Sequence, residues 1–134
     1  MAQMRVSDAA ELLAVSPDTI RRWIDGGRLE AGRDERGVTV IDGAGLARVA
    51  QDVAHPPTVG PVHDESARNR MRGIVTEVVR DTVMAQVSLQ AGPFRIVSLM
   101  SREAADDLGL EPGSVAVASI KSTNVIIGTP GGSP

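Results

Sequence analysis

The chain has 134 residues, 42% of them hydrophobic and 23% charged, with a formal net charge of −3. It has no cysteine, which excludes disulfides and thiolate metal sites. Its slight acidity means that any contact with nucleic acid must come from a local basic patch. There is no signal-peptide pattern and no apolar run of membrane-spanning length, so a cytoplasmic protein without a membrane partner is expected. Trp23 and Phe94 are the only large aromatic residues, so the apolar mass is aliphatic. Two small domains built this way would each be marginal alone, and oligomerisation is expected.

Val6, Ala9, Ala10 and Leu13 recur at helical spacing, and Ser7 can cap that helix. After a brief turn at Ala14-Val15, Ser16 is an N-cap and Pro17 suits the first helical position, where its missing N–H costs nothing. Asp18 lies where the helix dipole favours an anion. Ile20, Trp23 and Ile24 share one face, Thr19, Arg21, Arg22 and Asp25 lie mostly on others, and Gly26-Gly27 ends the helix. Two short helices joined by a tight turn predict a helix-turn-helix. Arg28 to Ala31, the charged turn Gly32 to Gly37 and the β-branched run Val38 to Ile41 predict a hairpin. Asp42 then caps a third helix through Leu46, Val49 and Ala50.

The segments Ser7-Asp8-Ala9-Ala10-Glu11-Leu12-Leu13, Val15-Ser16-Pro17-Asp18-Thr19-Ile20-Arg21-Arg22-Trp23 and Gly27-Arg28-Leu29 resemble the winged helix-turn-helix of the excisionase and MerR-type families. That resemblance implies double-stranded DNA as a partner. Ser16, Asp18, Thr19, Arg21 and Arg22 would belong to the recognition helix, and Arg33 and Arg36 would reach the phosphate backbone from the wing. Trp23 reads instead as a packing residue against the first helix and wing.

Residues 52–65, with Pro56, Pro57, Gly60 and Pro61, have no periodicity and read as a linker. Its histidines, His55 and His63, lack companions at metal-ligand spacing, so no bare-cation site is expected. The domains expected are 1–51, the linker 52–65, 66–128, and a flexible tail 129–134.

The second half alternates like a small all-β domain. Strands are expected over 70–79, 83–89, 94–100, 115–120 and 125–127, with a short helix over 102–108 capped by Ser101 and closed by Gly109. The fold class is therefore α+β in two domains: a winged helix-turn-helix, then a five-stranded OB-like β-barrel with one short helix.

Two segments of this half carry chemistry. Ser66-Ala67-Arg68-Asn69 and Lys121-Ser122-Thr123 combine cations, hydroxyls and small residues, and neither contains a carboxylate. Lys121 is the only lysine among fourteen basic residues. A tetrahedral dianion offers acceptors only, so its host must supply donors only. Together with Gly73, the run Asp107-Leu108-Gly109-Leu110-x-Pro-Gly and Ile120 to Val125, these segments resemble the molybdate-binding Mop domain of the TOBE family. The resemblance covers 66–127. It implies molybdate or tungstate bound between subunits, with Ser66, Ala67, Arg68 and Asn69 from one chain and Lys121, Ser122 and Thr123 from a neighbour. Ser101 stands where the family commonly has Thr, and Ala104 replaces a frequent Ser, which removes one hydroxyl.

The functional reading is a molybdate-responsive DNA-binding transcriptional regulator, assembled as a dimer or as a hexamer built of three dimers. The alternative is a molybdate storage or homeostasis protein whose helix-turn-helix half is a docking module. A third reading is a regulator whose barrel only oligomerises. No enzyme is expected: Lys121-Ser122 lacks the glycines of a phosphate loop, and no nucleophile–base arrangement suits the fold.

Overall fold

The computed structural model describes residues 2–60 and 66–131. Pro61 to Glu65 of the linker stretch, His63 among them, and the last three residues of the expected tail lie outside the described residues. The chain divides into two compact units, Met1–His55 and Pro56–Pro134.

The first unit contains β1 (Gln3–Arg5), α1 (Val6–Leu13), α2 (Pro17–Asp25), β2 (Ala31–Arg33), β3 (Thr39–Asp42) and α3 (Gly43–Val53). The strands form an antiparallel sheet in the order β1-β3-β2. Strand β1 was not anticipated, because three residues are too few to show an alternation; it exists through pairing of Met4 with Ile41. That strand also moves the start of α1. Arg5 is the N-cap, with no side-chain cap bond, and Ser7 lies inside the helix. Ala14 adopts a left-handed conformation (φ 55°), and its N–H closes α1 on the carbonyls of Ala10 and Glu11. The caps expected of Ser16 and Asp42 form: Ser16 accepts from Thr19 N–H, and Asp42 from Gly45 N–H. Helix α3 runs to Val53, two residues into the stretch read as linker, and residues 54–60 have no regular structure. Ala9, Ala10, Ile20, Leu29, Ile41, Leu46 and Val49 form the core, with Trp23 and Ile24 packed against it.

The second unit contains β4 (Asn69–Arg80), β5 (Met84–Ala91), β6 (Phe94–Ser101), α4 (Arg102–Asp107) and β7 (Val115–Ile120), followed by a 3₁₀ turn at Ser122–Asn124. The antiparallel sheet has the order β6-β5-β4-β7. A bulge between Val75 and Glu77 lets both Val75 and Val78 face the core. The core is small: Val75, Val87, Leu89 and Leu110, flanked by Val78, Ile96, Met100, Ala116 and Ala118.

Four strands are present where five were expected. Residues 125–127 join no ladder among the described residues. Period and β-branching recognised an apolar extended segment there, but a strand also needs a partner edge. The 3₁₀ turn bonds Val125 N–H to the Ser122 carbonyl instead of starting a hairpin on β7.

Gly73 has a definite packing reason. A Cβ on it would meet the Gln90 carbonyl, with the carbonyl carbon at 2.9 Å and Ala91 Cα at 3.1 Å. The backbones of β4 and β5 cross there at a separation that only glycine permits.

Candidate functional site

The two donor segments converge because of strand pairing. Asn69 opens β4 and lies opposite Ile120, the last residue of β7. The segment before β4 and the turn after β7 therefore leave the sheet at the same end. Asn69 Nδ2 donates to the Ile120 carbonyl at 3.2 Å, so part of its donor capacity holds the two segments together. Ala67 is buried and anchors its segment, while Ser66 and Arg68 are exposed. Ser66, Lys121, Ser122 and Thr123 line one open depression of about 250 Å³. All four lining residues offer donors, and none is a carboxylate. Lys121 makes no ion pair among the described residues, so its charge there is not neutralised by the chain's own acids.

Ser101 is not part of this depression. Its Oγ accepts from Ala104 N–H as the N-cap of α4. It lines a separate concavity with Thr82, Val83, Arg102, Glu103, Asp106 and Asp107. Three carboxylates make that concavity a poor host for a dianion. Nearby, Asp81 Oδ1 accepts from Val83 N–H (2.7 Å) and Met84 N–H (2.6 Å). These two backbone donors, Met84 first, hold the Asp81 carboxyl below its ordinary value, with a smaller contribution from the Arg102 charge. The role of this group is to set the β4–β5 turn.

In the first unit, the candidate DNA-contacting residues of α2 are exposed and engaged with one another. Arg21 Nη1 donates to Asp18 Oδ1 at 3.0 Å, with both side chains more than half exposed. Arg22 Nη2 donates to Thr19 Oγ1 at 3.0 Å, and Thr19 Oγ1 lies 3.0 Å from Ser16 Oγ. Exposed pairs of this kind contribute about 0–1 kcal/mol, so a phosphate or base edge can replace them. At the hairpin, Asp34 Oδ1 accepts from Arg36 N–H and Val38 N–H, and Gly37 takes φ 78°. Arg33 Nη1 donates to the Gly37 carbonyl at 2.7 Å, so it braces the turn, whereas Arg36 uses only its backbone there. The sequence reading missed Arg28, whose guanidinium lies 5.5 Å from the Trp23 ring centroid. An Arg five positions after a Trp carries no local signal; the chain reversal at Gly26-Gly27 creates the stack.

No helix among the described residues is long and apolar enough to cross a membrane. Among the described residues no cluster of His, Asp or Glu could hold a metal ion, and His63 lies outside them.

Comparison with known proteins follows the same division. Residues 65–127 match the TOBE domain family, and residues 4–52 match a helix-turn-helix domain family. The chain is 41% identical over 63 residues to molybdenum-pterin-binding protein 3 of Clostridium pasteurianum, covering 46% of this chain and 93% of that protein. Among solved structures it is similar to a molybdate-binding protein from Sporomusa ovata, at 29% identity and TM-score 0.48, covering 49% of this chain and 98% of that one. It is also similar to the cytoplasmic molybdate-binding protein ModG with molybdate bound, at 40% identity and TM-score 0.49, covering 51% of this chain and 49% of that one. These relatives are binding proteins and not enzymes. The chain belongs to the TOBE-domain family, in a form that carries a helix-turn-helix domain ahead of the TOBE domain.

Proposed function

We propose that this chain is a DNA-binding transcriptional regulator that responds to molybdate, or to the isosteric tungstate. The observation that carries the anion half is the shared depression of Ser66, Lys121, Ser122 and Thr123, donors only, from segments far apart in sequence. The relatives named above support molybdate as the anion. The anion-binding set is Ser66, Ala67, Arg68, Asn69, Lys121, Ser122 and Thr123, with backbone N–H groups acting where side chains are short. Ser101 joins that set only from a neighbouring chain, because within one chain it lines a different concavity. Lys121 and Arg68 supply the charge that compensates for removing water from a dianion.

The DNA half is a recognition helix carrying Ser16, Asp18, Thr19, Arg21 and Arg22, with Arg36 and Arg33 on a wing. One reading head covers a half-site, so a dimer, or a hexamer of three dimers, supplies the second. Anion bound between chains then changes DNA affinity by favouring one arrangement of heads.

Titration calorimetry with molybdate, tungstate and sulfate tests this, followed by DNA binding with and without the anion that binds. The expected result is heat with molybdate and tungstate, little with sulfate, and an anion-dependent change in DNA affinity. Heat without that change points to storage. No heat with any of the three refutes both.

A further inference from the structure

The second unit leaves two things unmatched. Strands β6 and β7 are the sheet edges, and an apolar groove of about 500 Å³ lies along them. Ile96 and Met100 of β6 and Val115 to Ile120 of β7 face it, with Leu108 and Leu110 at one end. The second unmatched feature is the segment immediately after the 3₁₀ turn. Val125, Ile126 and Ile127 are uncharged, β-branched and extended, and Ile126 and Ile127 are 93% and 85% exposed. Adjacent strongly exposed isoleucines are costly in water, as is an apolar groove with open backbone edges.

We propose that the groove of one chain receives the Val125–Ile127 strand of a second copy, and that the exchange is reciprocal. The segment's own chain does not seat it, because the turn at Ser122–Asn124 directs it away from the sheet. A second copy is the occupant because every copy carries one donor segment and one acceptor groove. A two-fold exchange satisfies both and closes without propagating. Composition agrees: the groove is almost wholly aliphatic, and so is the segment. The small core of this unit gives the exchange its driving force.

This inference rests on the assembly part of the function proposed above and not on the anion. It deepens that reading by naming the covalent link between assembly and site. Lys121, Ser122 and Thr123 lie immediately before the exchanged strand, so seating the strand fixes the turn that carries the lysine. The site then reaches its final geometry only in the exchanged dimer.

The test is run in buffer free of molybdate, so that its outcome is separate from anion binding. The expected native mass is twice the 14.0 kDa of the chain, or an even multiple of it. Ile126→Asp is expected to lower that mass at least twofold. A native chain at 14.0 kDa, or an Ile126→Asp chain whose mass is unchanged, overturns the proposal. Should Ile126→Asp fail to fold, cross-linking decides. The chain has no cysteine of its own. One preparation carries Ile126→Cys and the other Ser98→Cys, a groove position opposite Val87. Mixing and oxidation should give the mixed disulfide in at least tenfold excess over a control pair in which Leu12→Cys replaces Ser98→Cys. Equal yields overturn the exchange.

Discussion

The two halves of the chain meet the same shortage of aromatic residues in opposite ways. In the first, seven aliphatic residues from three helices and a hairpin close on one another, and Leu12 is its only strongly exposed large apolar residue among those described. In the second, four residues form the buried core, and large apolar side chains such as Val83, Phe94, Leu99, Leu108, Val115 and Ile126 remain exposed. The contrast teaches that a helix-turn-helix with a sheet on its flank can finish its own core at this length. A curled four-stranded sheet cannot, because it retains two edges and an open face. The half that reads DNA is self-sufficient, and the half that senses is built to be completed.

Trp23, the only tryptophan, lies in the first unit and reports on it alone, which makes the comparison testable. The largest effect is expected from Ile20→Ala, because Ile20 is fully buried. A loss of about 3 kcal/mol should appear in the urea transition followed by Trp23 fluorescence. The sheet transition seen by circular dichroism should not move; if it does, the halves are not independent. Gly73→Ala is the converse. The added methyl meets Gln90 backbone that cannot yield. A cost of about 2 kcal/mol is expected in the second unit, with the Trp23 transition unchanged.

Two substitutions separate the activities. Lys121 is exposed and adds nothing to packing, so Lys121→Ala should leave both melting transitions in place. It should weaken molybdate binding roughly 30-fold, the value of one hydrogen bond to a charged partner. Arg22→Ala should weaken DNA binding about tenfold and leave the molybdate titration unchanged. If each substitution abolishes both activities, the division of labour is wrong.

The smallest effect concerns Asp81. Its carboxyl is held low by backbone N–H donors, so its contribution to stability is fully present above the unfolded-state value. That contribution is lost as pH falls through the lower folded-state value. Asp81→Asn should flatten the acid side of the second unit's pH–stability curve and leave neutral pH nearly unchanged.

Much of this was readable in the sequence where the cause is local. Ser16-Pro17-Asp18-Thr19 specifies a helix start because the cap, the proline and the dipole partner lie within four residues of one another. Asp42 and Ser101 mark helix starts for the same reason. The helix α1 was misplaced because its start depends on β1, a strand created only by its pairing with β3. The role of Gly73 could not be derived from its neighbours, since the backbone it approaches is that of Gln90 and Ala91. Arg33 reads locally as a free wing cation, but the geometry of the turn commits it to Gly37.

By itself, then, the sequence determined the helical caps, the apolar periods, the division into a helical and a β half, and the two donor-bearing segments. These follow from dihedral preferences and hydrogen bonds that span a few residues. Only the tertiary structure decided that Ser66 and Lys121 share a depression, that Ser101 stands apart from it, and that Val125–Ile127 finds no edge in its own chain. Those outcomes depend on strand register, bulge position and the direction of one 3₁₀ turn. Each is set by which distant backbone groups can be satisfied together, and no short window of sequence contains that information.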